Sequence, residues 1–479
     1  MSDATITYPP QSVDAASYQP SPSAADRSTL DGTSEREGEG ILGANDGEGQ
    51  GIELAPVDGG VQAWTFVAAG AMYEMIAWGQ SYSYGIFENY HKNDIRSPLY
   101  GKASPAATSA IGTLVIAGLH FAPFLLRGTF RTYPHLVKTS AIVATVLSAA
   151  SLLVASFVPS NVGALLFLQG IFYGLTGGVG FALVVLWIPQ WFDERMGTAN
   201  GIIFSGSGLG GTIFPLVLNK LLQRVGFAWT LRVMSLYSLI LAGGSILLLK
   251  PRLPVRRPTA LPRNPLRRLA PEGVKELWSP LALAQEAAVI FQTVAWCTIS
   301  LYISSYTTSL GFSTTTATGV LSAFNAAATV GFFLVGRLVD GSSHTVLMAI
   351  STLVCSVLAF VFLGFTRSLP LLIVFALLFG TAGGGFTTFL GPISKTVALR
   401  GNQEIAAIHS ATIFIRGVAA VLGPLLGSTL YNEHSSTFAV YGTNGFRGVV
   451  LYVGSSMTLA GGCSIAANWL GKRATSPSS

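Results

Sequence analysis

Between Val61 and Asn468, twelve apolar stretches alternate with short polar joints. Each is long enough to cross a bilayer as a helix of roughly 20 residues. The pattern places them at 61–85, 104–126, 136–157, 162–186, 198–220, 228–249, 281–306, 315–336, 345–366, 369–392, 404–430 and 447–469. The apolar runs are unbroken rather than alternating at every second position, which selects helices over the strands of a membrane barrel. A helix also satisfies its own backbone N–H and C=O groups, as hydrocarbon requires.

Composition agrees with lipid as the solvent. Half of the residues are hydrophobic and 10% are charged, too few to coat a water-soluble fold of this length. The 54 glycines, with many Ala and Ser inside the stretches, allow close helix approach. Residues 1–60 differ: they are rich in Ser, Gly, Pro, Asp and Glu, and are expected to form a disordered cytoplasmic tail.

The net charge of +6 would suggest nucleic acid in a soluble protein, but here it sits in the joints and marks topology. Lys250, Arg252, Arg256, Arg257, Arg263, Arg267, Arg268 and Lys275 crowd the joint between spans six and seven, and loop positive charge marks the cytoplasmic side. Arg127, Arg131, Lys138, Lys395, Arg400, Lys472 and Arg473 fall on that same side. Both termini are therefore expected in the cytoplasm, on a multi-pass membrane protein. Cys297, Cys355 and Cys463 lie inside spans with no metal or redox spacing.

The long basic joint divides the spans six and six, and an internal repeat supports that division. Phe172-Tyr173-Gly174-Leu175-Thr176-Gly177-Gly178 in span four resembles Leu378-Phe379-Gly380-Thr381-Ala382-Gly383-Gly384 in span ten. Gly208 to Pro215 in span five echoes Gly417 to Pro424 in span eleven. The expected organisation is a six-helix bundle over 61–249, a basic cytoplasmic linker over 250–280, a second bundle over 281–469 and a short cytoplasmic tail over 470–479.

Two motifs carry a family resemblance. Asp58-Gly59-Gly60-Val61-Gln62-Ala63-Trp64 is similar to the acidic-Gly-Gly-x-x-Ala-Trp start of span one in the monocarboxylate porter family of the major facilitator superfamily. Trp191-Phe192-Asp193-Glu194-Arg195-Met196-Gly197-Thr198-Ala199-Asn200-Gly201 resembles that family's second signature, an aromatic-Phe-x-x-Arg-x-x-Ala-x-Gly run into span five. The fungal branch fits best. The resemblance implies an all-α membrane fold of twelve helices in two pseudo-symmetric bundles.

The chain also departs from the family. Leu126-Arg127-Gly128-Thr129-Phe130-Arg131 stands where the superfamily has a Gly-x-x-x-Asp-Arg-like motif, and it has no acid. The copy after span eight, Gly336-Arg337-Leu338-Val339-Asp340-Gly341, keeps both charges. The resemblance implies that Gly336, Arg337 and Asp340 hold the inner gate closed through an ion pair between the halves. The span-one lysine and span-eight Asp/Arg pair of animal lactate carriers are missing, so proton-lactate symport does not carry over.

Charges inside a bilayer cost several kcal/mol and mark functional candidates. Glu74 in span one and Arg416 in span eleven lie roughly a dozen residues, about 18 Å at 1.5 Å per residue, from the cytoplasmic ends. Arg416 could grip a carboxylate with its two-pronged guanidinium, and a desolvated Glu74 could carry a coupled proton. Glu286 sits nearer its span end, as a cavity acid or one that faces headgroups. His120 and His409 are placed near cytoplasmic ends as packing histidines. In this superfamily spans one, four, seven and ten line the cavity, so Tyr173 and Gln292 are candidate substrate contacts, with Asn325 on span eight beside them. Helix–helix hydrogen bonding is the alternative role for all three.

No cofactor, nucleotide or metal spacing is present. The expected function is secondary active transport of a small organic acid or related metabolite by alternating access, with a lean towards efflux of a fungal secondary metabolite and no enzymatic activity. Uptake of a monocarboxylate or vitamin is the alternative, and a non-transporting sensor is a further one. A monomer is expected.

Overall fold

The computed structural model describes residues 54–255, 275–432 and 441–473. The N-terminal tail, most of the basic linker and the last residues, to which disorder and topology were assigned above, lie outside them. Every one of the twelve apolar stretches is helical, and the described residues contain no strand.

In chain order the long helices are α1 (Gly60–Tyr82), α2 (Pro105–Thr132), α3 (Val137–Ala155), α4 (Val162–Trp191), α5 (196–225), α6 (227–248), α7 (Pro280–Ser309), α8 (Thr314–Val339), α9 (His344–Leu363), α10 (Leu369–Gly401), α11 (Ile405–Thr429) and α12 (Arg447–Arg473). A ten-residue helix, Tyr84–Asn93, continues beyond α1. Ten helices of the described residues are long and apolar enough to cross a membrane, and Met196–Leu248 counts among them as one helix of 53 residues. It reverses at Gly226, whose φ of 76° and ψ of 178° only glycine adopts without strain. That turn separates α5 from α6. The remaining helix, α1, has 23 residues and spans about 34 Å at 1.5 Å per residue.

Local signals start these helices. The hydroxyl oxygens of Ser104, Ser279 and Ser313 accept from the N–H groups of Ala107, Ala282 and Thr316, satisfying donors that the first turn leaves free. We call the end of the bundle at which α6 finishes and α7 begins the linker face.

The repeated glycine string has a packing cause. A Cβ on Gly174 or Gly178 of α4 would stand 2.7 Å from the Val115 or Gly118 carbonyl oxygen of α2. In the second set of helices, a Cβ on Gly380 of α10 would stand 2.6 Å from the Phe324 oxygen of α8, and one on Gly384 would stand 2.7 Å from Ala328 Cα. The same four-residue spacing therefore seats α4 on α2 and α10 on α8, backbone against backbone.

The two signature motifs meet at the linker face. Asp58, at φ 59°, accepts from the backbone N–H groups of Asp193 (2.9 Å), Glu194 (3.1 Å) and Arg195 (2.9 Å). Its own N–H donates to the Trp191 carbonyl at 2.8 Å, and the Trp64 and Phe192 rings meet edge-to-face at 5.5 Å. The start of α1 and the α4–α5 joint thus form one braced unit, built from residues far apart in the chain.

Candidate functional site

α5 and α8 form one seam between the first six and the last six helices, and α2 and α11 form another. Along the first seam, a Cβ on Gly201 would stand 2.6 Å from the Phe332 oxygen, and one on Gly336 would stand 2.6 Å from the Gly197 oxygen. Only hydrogen in place of a side chain allows this approach. Along the second, the Phe414 ring lies 4.7 Å from Phe121 and 4.9 Å from Phe124, and a Cβ on Gly417 would stand 2.4 Å from His120 Cβ.

Three polar ties close the seams at the linker face. Asp340 accepts from the N–H groups of Gly197 (2.7 Å) and Thr198 (2.9 Å) and from the Thr198 hydroxyl (2.5 Å), capping the start of α5. Arg127 on α2 donates to Glu404 Oε2 at 2.7 Å, just before α11, with Arg131 3.9 Å from Oε1. Lys395 on α10 pairs with Asp193 in the α4–α5 joint. The family resemblance implied that the Gly336, Arg337 and Asp340 motif closes this face through an ion pair between the halves. Among the described residues Arg337 forms none, and Asp340 acts instead on backbone N–H groups, where the helix carries its partial positive charge.

Between the seams lies a small cavity of about 20 Å³, swept out by the centre of a water-sized sphere. That is room for about one water. Glu74 and Trp78 on α1, His120 on α2, Ser207 on α5, Thr387 on α10 and Arg416 on α11 supply its polar groups. Tyr82, Phe181, Phe204 and Phe332 supply aromatic walls from α1, α4, α5 and α8. Leu390 on α10 and Ile413 on α11 complete it.

Three of these side chains hold buried polar atoms without a partner. Glu74 is fully buried, and neither carboxylate oxygen has a hydrogen-bond partner. Arg416 is 6% exposed, belongs to none of the ion pairs of the described residues, and leaves Nη1 without a partner. The Trp78 Nε1–H is likewise buried and unpaired, and its ring meets that of His120 edge-to-face at 4.6 Å. His120 Nδ1 lies 2.9 Å from the Ile116 carbonyl oxygen. A carbonyl can only accept, so Nδ1 carries the proton in neutral His120 and Nε2 keeps a lone pair. Glu74 and Arg416 form no ion pair within 4 Å, so they do not simply neutralise each other in contact.

The other sequence candidates fall elsewhere. The Tyr173 hydroxyl donates to Gln80, which donates onward to Ser238 Oγ at 2.8 Å, joining α4, α1 and α6. Gln292 donates to the Gly383 carbonyl of α10 at 3.1 Å, and Asn325 to the Gly211 carbonyl of α5 at 3.1 Å. None of the three lines the cavity, and no α7 residue does. Glu286 is buried rather than turned to headgroups, and its Oε1 accepts from the Thr412 hydroxyl at 2.5 Å. His409 sits at the linker-face end, 3.1 Å from Ser394 Oγ and 3.3 Å from the Leu390 carbonyl. Among the described residues no group of His, Cys, Asp and Glu could hold a metal ion.

Comparison with known proteins places this geometry. The sequence profile of the Major Facilitator Superfamily matches residues 65–424, both seams and the cavity included. The chain belongs to the major facilitator superfamily. As a major facilitator it is a multi-pass membrane transporter of small molecules, not an enzyme. It is 29% identical over 294 residues to the MFS-type transporter pytF of Aspergillus terreus, covering 60% of this chain and 93% of that one. It is 25% identical over 386 residues to the aspyridones efflux protein apdF of Emericella nidulans, covering 80% and 74%. Its fold superposes on the crystal structure of the human organic anion transporter MFSD10 (TETRAN) with a TM-score of 0.59, at 16% identity, over 85% of this chain and 98% of that one. At that identity the likeness concerns the major facilitator fold alone.

Proposed function

We propose that this chain is an alternating-access exporter of a small organic anion, a secondary metabolite, at the plasma membrane. The six-helix sets α1–α6 and α7–α12 rock about the central cavity, and the linker face looks into the cytoplasm. Arg416 carries the assignment: a buried, unpaired guanidinium in a cavity between the two sets is costly unless an anion visits it. The direction follows the relatives, one of which bears the name of an efflux protein. The signature motifs favour the fungal branch of the monocarboxylate porters, and the protein works as a monomer. Glu74, unpaired in the same cavity, is the candidate carrier of a coupled proton.

The test compares metabolites inside and outside cells with and without the gene, then repeats transport in liposomes with and without a pH gradient. One acidic compound should accumulate within the deletion strain, and Arg416→Gln should fail to restore its export. Loss of uptake in the deletion strain would reverse the direction. A protein that moves no organic anion in liposomes would remove the proposal.

A further inference from the structure

The unpartnered atoms of the cavity specify more than charge. Arg416 Nη1 and Trp78 Nε1 are donors without acceptors, and both Glu74 oxygens are acceptors without donors. All three side chains are more than nine-tenths buried and line the same cavity. Glu74 offers at least one acceptor oxygen whether or not it holds a proton. A ligand that supplies only an anion would satisfy the two donors and leave Glu74 unmatched. Buried groups left unmatched discriminate strongly against the ligand that fails them. The walls are rings from four helices, Tyr82, Phe181, Phe204 and Phe332, and suit a flat conjugated body better than a short aliphatic one.

Resting on the organic-anion reading above, we infer that the transported class is a ring-bearing anion with its own O–H or N–H donor, whose acid group meets Arg416 and Trp78 while the donor meets Glu74. Aliphatic hydroxy acids lack the ring, and unsubstituted aromatic acids lack the donor. The cavity in this conformation admits about one water, so recognition of the ring occurs as the two sets part and the polar groups meet the ligand's head.

Equilibrium binding of radiolabelled benzoate to the purified full chain, displaced by benzoate, its three monohydroxy isomers and lactate, tests this directly. At least one hydroxybenzoate should bind roughly tenfold tighter than benzoate, the worth of one hydrogen bond to a charged group. Lactate should bind more weakly than either. In Glu74→Leu the ratio of hydroxybenzoate to benzoate affinity should fall to about one. Glu74→Gln, which keeps an acceptor oxygen, should retain the preference and so separates recognition from folding. Equal affinity for benzoate and all three isomers in the native protein, or a preference that survives Glu74→Leu, overturns the inference. In that case, loss of benzoate binding in Arg416→Gln would still leave the organic-anion transporter standing. Binding that ignores Arg416→Gln, or no binding of any probe, overturns both.

Discussion

Asp340, just beyond α8, accepts a hydrogen bond of 2.7 Å from the backbone N–H of Gly197 at the start of α5. The bond crosses the seam between the two six-helix sets at the linker face, and Gly197 is placed for it because any side chain there would meet Val339 and Asp340 themselves. Replacing Asp340 by Asn removes the charge that favours a helix start and at least one acceptor. A lost cap of this kind costs about 1 kcal/mol. The ratio of closed to open protein should fall roughly fivefold by that arithmetic. A cysteine placed at Ser207 in the cavity should then react faster with a membrane-impermeant thiol reagent added at the linker face. An unchanged rate would show that this contact does not hold the gate.

The second tie should behave differently. Arg127 is buried but Glu404 is 60% exposed, so solvent screens the pair and its coupling should be small, about 0.5–1 kcal/mol. A double-mutant cycle with Arg127→Gln and Glu404→Gln should give coupling of that size, weakening as salt rises. Glu404→Lys should do more harm than Glu404→Gln, because it places three positive charges together with Arg127 and Arg131. Equal effects of Lys and Gln would argue that the pair is incidental.

Close helix approach predicts a contrast between two glycines. A methyl group on Gly201 would meet the Phe332 backbone oxygen at 2.6 Å, whereas one on Gly462 of α12 would meet nothing within 4 Å. Backbone cannot rotate away, so Gly201→Ala should separate α5 from α8 and cost about 1–3 kcal/mol. Gly462→Ala should be neutral or slightly stabilising. Thermal unfolding in detergent would show it, and similar melting temperatures for both variants would contradict the packing.

Acid should loosen the end opposite the linker face. His91, in the short helix beyond α1, bonds through Nδ1 to Ser97 Oγ at 2.7 Å, stacks edge-on to Phe227 at 4.7 Å and leaves Nε2 buried without a partner. Burial pushes its imidazole down from 6.5 to about 4. The unfolded chain therefore binds that proton more tightly than the folded one. Stability that is intact above pH 6.5 should fall as the pH drops towards 4. His91→Asn should flatten this part of the melting-temperature profile, and a profile of unchanged steepness would exclude His91 as its source.

Much of this architecture was legible because apolar runs and turn residues encode it directly. The α7 stretch read as 281–306 folds as Pro280–Ser309. Boundaries failed where helices continue past the apolar run. α10 extends to Gly401 through Lys395 and Arg400, and α2 extends to Thr132 through Arg127 and Arg131. The second extension matters for the site. With α2 ending at Thr132, His120 lies about 18 Å from that end at 1.5 Å per residue, beside Trp78 in the cavity rather than near the surface. Glu74 and Arg416 were visible because charge stands out in an apolar helix. Trp78, Phe181, Phe204 and Phe332 were not, since an aromatic residue on such a helix reads the same whether it meets lipid, a neighbour or a ligand.

The two seam contacts have opposite polarity. In one, the joint after α8 brings a carboxylate, Asp340, to the bare start of α5; in the other, the last two turns of α2 bring guanidinium groups to α11, whose start already carries the acid Glu404. A chain assembled from two copies of its second set would face acid against acid, and one made from two copies of the first would aim arginines at the electropositive beginning of a helix. At these two contacts the six-helix sets are complementary to each other and would not be complementary to themselves.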